Sequence, residues 1–204
     1  VQAEQMYQRA IDADPTNARI LCTYGNFLQQ VGDTVQAEQM YQRAIDADPT
    51  NANALCDYAE FLTNIRGDID QAQDLYQWAL DANPTNTTAL SNCAQLLFAK
   101  SDDMKAISLA EKTITLACHY EESLLAECHF YLFAHSPKHR KESGRALKTL
   151  LGDGATTSDW SFEINLERLR REEDPRLELL EAVARTLEDG NTSRLDAFEE
   201  WRDL

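Results

Sequence analysis

The residues of this chain that could do chemistry crowd into one stretch. All four histidines, His119, His129, His135 and His139, fall there, with Cys118 and Cys128 beside them. Imidazole and thiolate are the ligands of a zinc site. His135 and His139 have the i, i+4 spacing that puts two ligands on one helical face. Pro137 lies between them, however, and breaks the helix they would share. No CxxC pair accompanies them, so ordinary histidines are expected and no metal. Asp12, Asp14, Asp46 and Asp48 recur in pairs. They lack the glycine and closing glutamate of a calcium loop and suit solvated helix ends. Neither GxSxG, a P-loop, GxGxxG nor HExxH occurs. No catalysis and no cofactor are expected, which leaves the surface as the seat of function.

Charge narrows what that surface can meet. The 204 residues carry a formal net charge of −16. Residues 1–86 hold 4 Arg against 13 Asp+Glu, residues 87–152 hold 8 basic against 7 acidic, and residues 153–204 hold 7 against 15. So acidic a chain is poorly suited to displacing counterions from phosphates, which argues against general nucleic-acid binding. The acidity either serves solubility or draws in a basic partner. No apolar run approaches the ~18 residues of a membrane span, so no membrane partner is expected. Five cysteines, Cys22, Cys56, Cys93, Cys118 and Cys128, sit at apolar helical positions. That placement suits reduced thiols filling a core, and hence a reducing, cytoplasmic compartment.

The elements carrying this surface repeat. Residues 35–51, VQAEQMYQRAIDADPTN, spell the same seventeen letters as residues 1–17, and Asp70–Asn86 is a diverged third copy. The closing prolines Pro15, Pro49 and Pro84 are spaced by 34 and then 35 residues, a period that signals a solenoid. Ala3, Met6, Tyr7, Ala10 and Ile11 draw the apolar stripe of an amphipathic helix. Asp14-Pro15 ends it, because a residue before proline is pushed out of the α region. Thr16 or Asn17 can cap the next helix. That helix, Ala18–Val31, presents Leu21, Tyr24, Gly25 and Leu28 and stops at Gly32-Asp33. Val35–Ala47 follows as its antiparallel partner, and 52–66 with 70–82 repeats the pair.

These residues resemble the tetratricopeptide repeat. Its first helix wants a large residue, a large-small pair and another large residue. Leu21, Tyr24-Gly25 and Leu28 supply that, as do Leu55, Tyr58-Ala59 and Leu62. Its second helix wants small, aromatic and small residues before a proline, matched by Ala37, Tyr41, Ala44 and Pro49. Leu90, Cys93-Ala94 and Leu97 continue the pattern, while Ala106 and Ala110 persist without the aromatic or the proline. The resemblance implies an all-α fold, an α-solenoid of antiparallel helix pairs (a tetratricopeptide superhelix), whose first helices line a concave groove. Its groove-facing positions would be Arg19, Cys22, Asn26 and Gln29, then Asn53, Cys56, Glu60 and Thr63, then Thr88, Ser91, Gln95 and Phe98. Asn64 and Asn92 would sit at the margin. Amide side chains there can hold an extended peptide backbone. Members that clamp the acidic tails of heat-shock chaperones use groove lysines, and Cys22 stands where one is needed. With Asp57 and Glu60 in or beside the groove, the implied partner is a protein or peptide that is neutral or basic rather than acidic.

Beyond residue 118 the pattern fades. A helix is expected over 121–134, and Ser136-Pro137 opens a basic helix running to Leu151. Lys138, Lys141, Arg145 and Lys148 on it form a secondary basic patch, able to dock an acidic segment of another protein or of the chain itself. Three more helices are expected over 159–171, 175–189 and 193–202, with Trp160, Phe162, Leu180 and Trp201 among the residues sealing the end of the core. Two domains result: 1–118, a half repeat plus three repeats, and 119–204, a degenerate repeat with a C-terminal helical cap. The expected function is a non-catalytic protein–protein interaction scaffold. The alternatives are a regulatory or sensor repeat array of a larger multidomain enzyme, or a self-assembling structural array. The first helix lacks the partner its copy has, which predicts weak self-association through it.

Overall fold

A computed structural model describes residues 2–118, 121–157 and 161–204. His119 and Trp160, and the expected helix start at Asp159, lie outside the described residues. Every regular element among the described residues is helical. The chain forms two compact units, 1–89 and 90–204. They part inside a helix, whereas the repeat pattern continues past that point. No helix among the described residues is long and apolar enough to cross a membrane.

In the first unit α1 (Gln2–Ala13) precedes two helical hairpins. These are α2 (Ala18–Gln30) with α3 (Thr34–Ala47), and α4 (Ala52–Phe61) with α5 (Ile69–Ala82), after which α6 (Thr87–Ala99) begins. One device starts each first helix. The Asn17, Asn51 and Asn86 side chains accept the N–H groups of Ile20, Ala54 and Ala89 at 3.2, 3.1 and 2.9 Å. Asparagine, not Thr16, is therefore the cap. Asp33 and Asp68 cap α3 and α5 through the N–H groups of Gln36 and Gln71, both at 3.1 Å.

The change of step from 34 to 35 residues has a visible cause. Leu28 to Leu62 is 34 residues, but Gly32 to Gly67 is 35. The extra residue lies between, where Leu62–Arg66 forms a π turn closed by left-handed Gly67 at φ 69°. Aromatic triads mark the contacts between repeats. Tyr7 lies 5.2 Å from Tyr24 and 5.5 Å from Phe27, and Tyr41 lies 6.0 Å from Tyr58 and 5.4 Å from Phe61. The small residue on α2 is required by packing, since a Cβ on Gly25 would stand 2.9 Å from the Tyr41 ring. The identical copies differ in cover. Met40 is 9% exposed beneath its neighbours, whereas Met6 on α1 is 65% exposed.

The second unit takes the rest of α6, then α7 (Asp103–Leu116), α8 (Glu122–His135) and α9 (Arg140–Gly152). It continues with α10 (Glu163–Arg171), α11 (Leu177–Asp189), a 3-10 segment (Thr192–Ala197) and the single turn α12 (Glu199–Arg202). The α8 helix is central, with Phe130, Tyr131 and Phe133 fully buried. Two arginines satisfy helix ends inside it. Arg168 donates to the Phe98 carbonyl at 2.6 Å and pairs with Asp103 and Glu172, while Arg176 donates to the carbonyls of Phe133 and Ala134 at 3.0 and 2.6 Å. The continuous helix expected over 193–202 is corrected to two short pieces. Asn191 caps a tight turn through the N–H of Ser193, and Phe198 is extended at φ −100°, ψ 122°. The basic helix likewise starts at Arg140, after a turn in which the Ser136 carbonyl accepts from both His139 and Arg140 at 3.0 Å.

Candidate functional site

The first helices α2 and α4 pack side by side in the first unit. Their shared face carries a connected polar floor. Tyr41 reaches it from α3, its hydroxyl donating to Asn26 Oδ1 at 2.6 Å with Gln29 Oε1 at 3.1 Å. With Oδ1 so engaged, the Asn26 amide is left to donate, and Asn26 and the Cys22 thiol both favour the charged form of the neighbouring Asp57 carboxylate. The floor therefore runs Tyr41, Asn26, Asp57, Cys22 across three helices. Burial pushes the Asp57 carboxyl up to about 6, against the opposing influence of Cys22 and Asn26. Burial, then Asp57, pushes the Cys22 thiol up to about 12, and burial does the same for Cys56. Both thiols stay protonated and unreactive. Burial first, then Asp57 and Glu60, raise the Tyr41 hydroxyl, which keeps it a donor.

Around this floor the expected groove residues fall into two groups. Arg19, Asn26 and Asn53 are exposed, as is Thr88, while Gln29, Glu60 and Thr63 are half-buried. Cys22 and Cys56 are floor rather than lining, at 5% and 4% exposure. Asn53 accepts from the Asn86 amide at 3.3 Å. The expectation that Ser91, Gln95 and Phe98 line an open groove is corrected, because the second unit's own chain covers them. Ser91 accepts from the Cys128 thiol at 3.5 Å, Gln95 Nε2 donates to the Ser161 carbonyl at 2.7 Å, and Phe98 stacks on His135 at 5.1 Å. Asn92, expected at the margin, is buried, while Asn64 is exposed.

The basic helix is partly engaged by its own unit. Lys148 Nζ donates to the carbonyls of Trp201 and Arg202 at 3.0 and 3.1 Å, and Arg145 Nε to that of Leu204 at 3.1 Å. Lys138 and Lys141 are exposed. The described histidines have separate surroundings. His139 Nε2 lies 2.9 Å from Glu111, His129 Nδ1 lies 3.4 Å from Ser143, and His135 is buried. Tyr41 was the groove component hardest to foresee, because its spacing marks it only as a filler between helices.

Hairpins of two helices, joined by recurrent asparagine and aspartate caps and stacked through aromatic triads, define an α-helical repeat scaffold. Models of the tetratricopeptide repeat match residues 1–54, 40–74 and 66–117, and the chain belongs to the tetratricopeptide-repeat family. Solved structures agree on the fold, an all-α solenoid of antiparallel helix pairs. PilF of Pseudomonas aeruginosa superposes with a TM-score of 0.61 at 16% identity, over 99% of this chain and 87% of that one. YrrB, described as a TPR protein with an unusual peptide-binding site, gives 0.58 at 16% identity over 97% and 98%. An O-GlcNAc transferase mutant of Thermobaculum terrenum gives 0.59 at 17% identity, over 70% of this chain but only 27% of the transferase. No curated protein sequence matches the chain. Its family makes it a repeat scaffold of the protein-interaction kind.

Proposed function

We propose that the chain is a non-catalytic scaffold that holds a peptide or protein segment in the groove of its first unit. The observation that carries this is the Tyr41–Asn26–Asp57 floor, which fixes an amide and a carboxylate on the face shared by α2 and α4. Arg19, Gln29, Asn53, Glu60, Thr63 and Thr88 surround it. Amides of this kind hold a backbone while reading little of its sequence. YrrB, with a peptide-binding site on the same fold, supports the reading by analogy. Two carboxylates against Arg19 favour a neutral or basic segment. Peptides captured from a displayed library should bind about tenfold more weakly to an Asn26→Ala/Asn53→Ala variant, the loss of one or two hydrogen bonds. Their affinity should also fall as salt rises. Binding untouched by that variant would overturn the reading.

Two other readings have an observation behind each. The transferase likeness favours a repeat array serving a larger enzyme, which a catalytic domain encoded beside this sequence would establish. The 65% exposure of Met6 favours weak self-association through α1. Sedimentation should then show a concentration-dependent rise in mass that Met6→Glu abolishes, and a strict monomer at millimolar concentration would exclude it.

A further inference from the structure

We propose that the open face of α1 docks an amphipathic helix of another polypeptide, one that carries the residue types and spacing of α2. This goes beyond the self-association reading above, which names the same face and a different occupant.

The same face occurs covered in the first unit. Residues 1–17 and 35–51 are one sequence, so α1 and α3 present the same side chains. On one flank their contacts agree. Tyr7 lies against Tyr24 and Phe27 of α2, as Tyr41 of α3 lies against Tyr58 and Phe61 of α4. The other flank differs. There α3 packs on α2, and Ala37, Tyr41 and Ala44 are fully buried, with Met40 9% exposed. The same four positions of α1 are Ala3, Met6, Tyr7 and Ala10. Met6 is 65% exposed and Ala3 is exposed, while Tyr7 and Ala10 are half-buried. A polar group is left over with them. The Tyr41 hydroxyl donates to Asn26 Oδ1 at 2.6 Å and has Gln29 Oε1 at 3.1 Å, whereas the Tyr7 hydroxyl has no hydrogen-bond partner among the described residues.

The covered copy states what fits the open one. On α2, Gly25 admits the tyrosine ring, since a Cβ there would stand 2.9 Å from it. Leu21 and Leu28 lie one turn to either side of Gly25, both buried, and Asn26 and Gln29 meet the hydroxyl. A docking helix with this pattern continues past α1 the interface that α2 makes with α3. Its anchors recur at helical spacing, the way an amphipathic helix fills a groove. A helix without the small residue stands off from Tyr7, and one without the amides leaves the hydroxyl unpaired. A second copy is the poorer occupant. In its first unit α2 and α4 are already paired with α3 and α5, which leaves only another α1 to offer.

The probe is a fluorescein-labelled synthetic peptide of residues 16–33, the α2 sequence with its cap, added to the whole chain under reducing conditions. Alone it is too short to hold much helix in water. Binding should therefore raise its anisotropy and add helical circular dichroism beyond the sum of the two components. Met6→Glu, at an exposed position of the chain, should weaken the peptide at least tenfold. Gly25→Leu in the peptide should do the same, although leucine favours helix. Tyr7→Phe in the chain should cost about threefold, the loss of one hydrogen bond. No binding at roughly 1 mM peptide, or an affinity left unchanged by any of the three substitutions, overturns the inference. Sedimentation separates it from self-association. A strict monomer that binds the peptide removes the self-association reading and leaves this one standing, whereas a Met6-dependent dimer that excludes the peptide gives the face to a second copy and overturns this one.

Discussion

Asp57 and His135 are single groups whose burial sets opposite responses to acid. Asp57 has its folded pKa raised from 3.8 to about 6, so its charged form is the costly one in the fold. Its contribution is fully present below 3.8 and is lost as pH rises through about 6. Asp57→Asn should therefore stabilise the first unit by about 1–2 kcal/mol at pH 7.5, after allowance for partial exposure, with the gain vanishing near pH 4. His135 is lowered from 6.5 to about 4, by burial and then by Arg168, with Arg176 adding to it and Asp103 and Asp174 opposing. The native fold keeps it neutral, so its stability is present above 6.5 and is lost as pH falls through about 4. The loss amounts to about 3 kcal/mol at most. Urea unfolding between pH 4 and 8 should show the second unit weakening first in acid, and His135→Phe should flatten that slope. A slope unchanged in His135→Phe would assign it to another group.

At the level of elements, the turn between paired helices shows what one residue type contributes. Gly32 and Gly67 occupy its left-handed position at φ 85° and 69°, but the third repeat puts Ser101 there at φ 64°. A side chain in that conformation costs about 1 kcal/mol relative to glycine. Ser101→Gly should raise the second unit's stability by about 0.5–1 kcal/mol, read as a shift of the urea midpoint at constant slope. The helical hairpins were legible because Leu21, Tyr24-Gly25 and Leu28 declare a buried stripe from local spacing alone. The arginine caps were not, because Arg168 meets Phe98 across 70 residues and nothing local to either announces the pairing. The same limit hid the fate of the third groove segment. Ser91, Gln95 and Phe98 keep the periodicity of Cys22, Asn26 and Gln29 whether solvent or the chain's own helices lie over them. The floor of the groove was half legible: Asn26 follows from the repeat, while the reach of Tyr41 depends on how closely Gly25 lets α3 approach.

For the molecule as a whole, each unit closes its helices in its own way. The first relies on repetition, with an asparagine cap used three times, an aspartate cap twice and one aromatic triad twice. The second relies on singular contacts, Arg168, Arg176 and the Lys148 hold on the chain's last turn. The duplication in the first unit carries a further consequence. Residues 1–17 and 35–51 are one sequence in two settings, with Met6 open to solvent and Met40 covered. A proteolytic fragment common to both copies, such as 4–14 and 38–48, has one mass, one composition and one set of intrinsic rates. Any splitting of its isotope envelope after deuterium labelling therefore measures the neighbours alone. The chain contains its own calibration: an experiment in which tertiary context is the variable and sequence is held fixed within a single polypeptide.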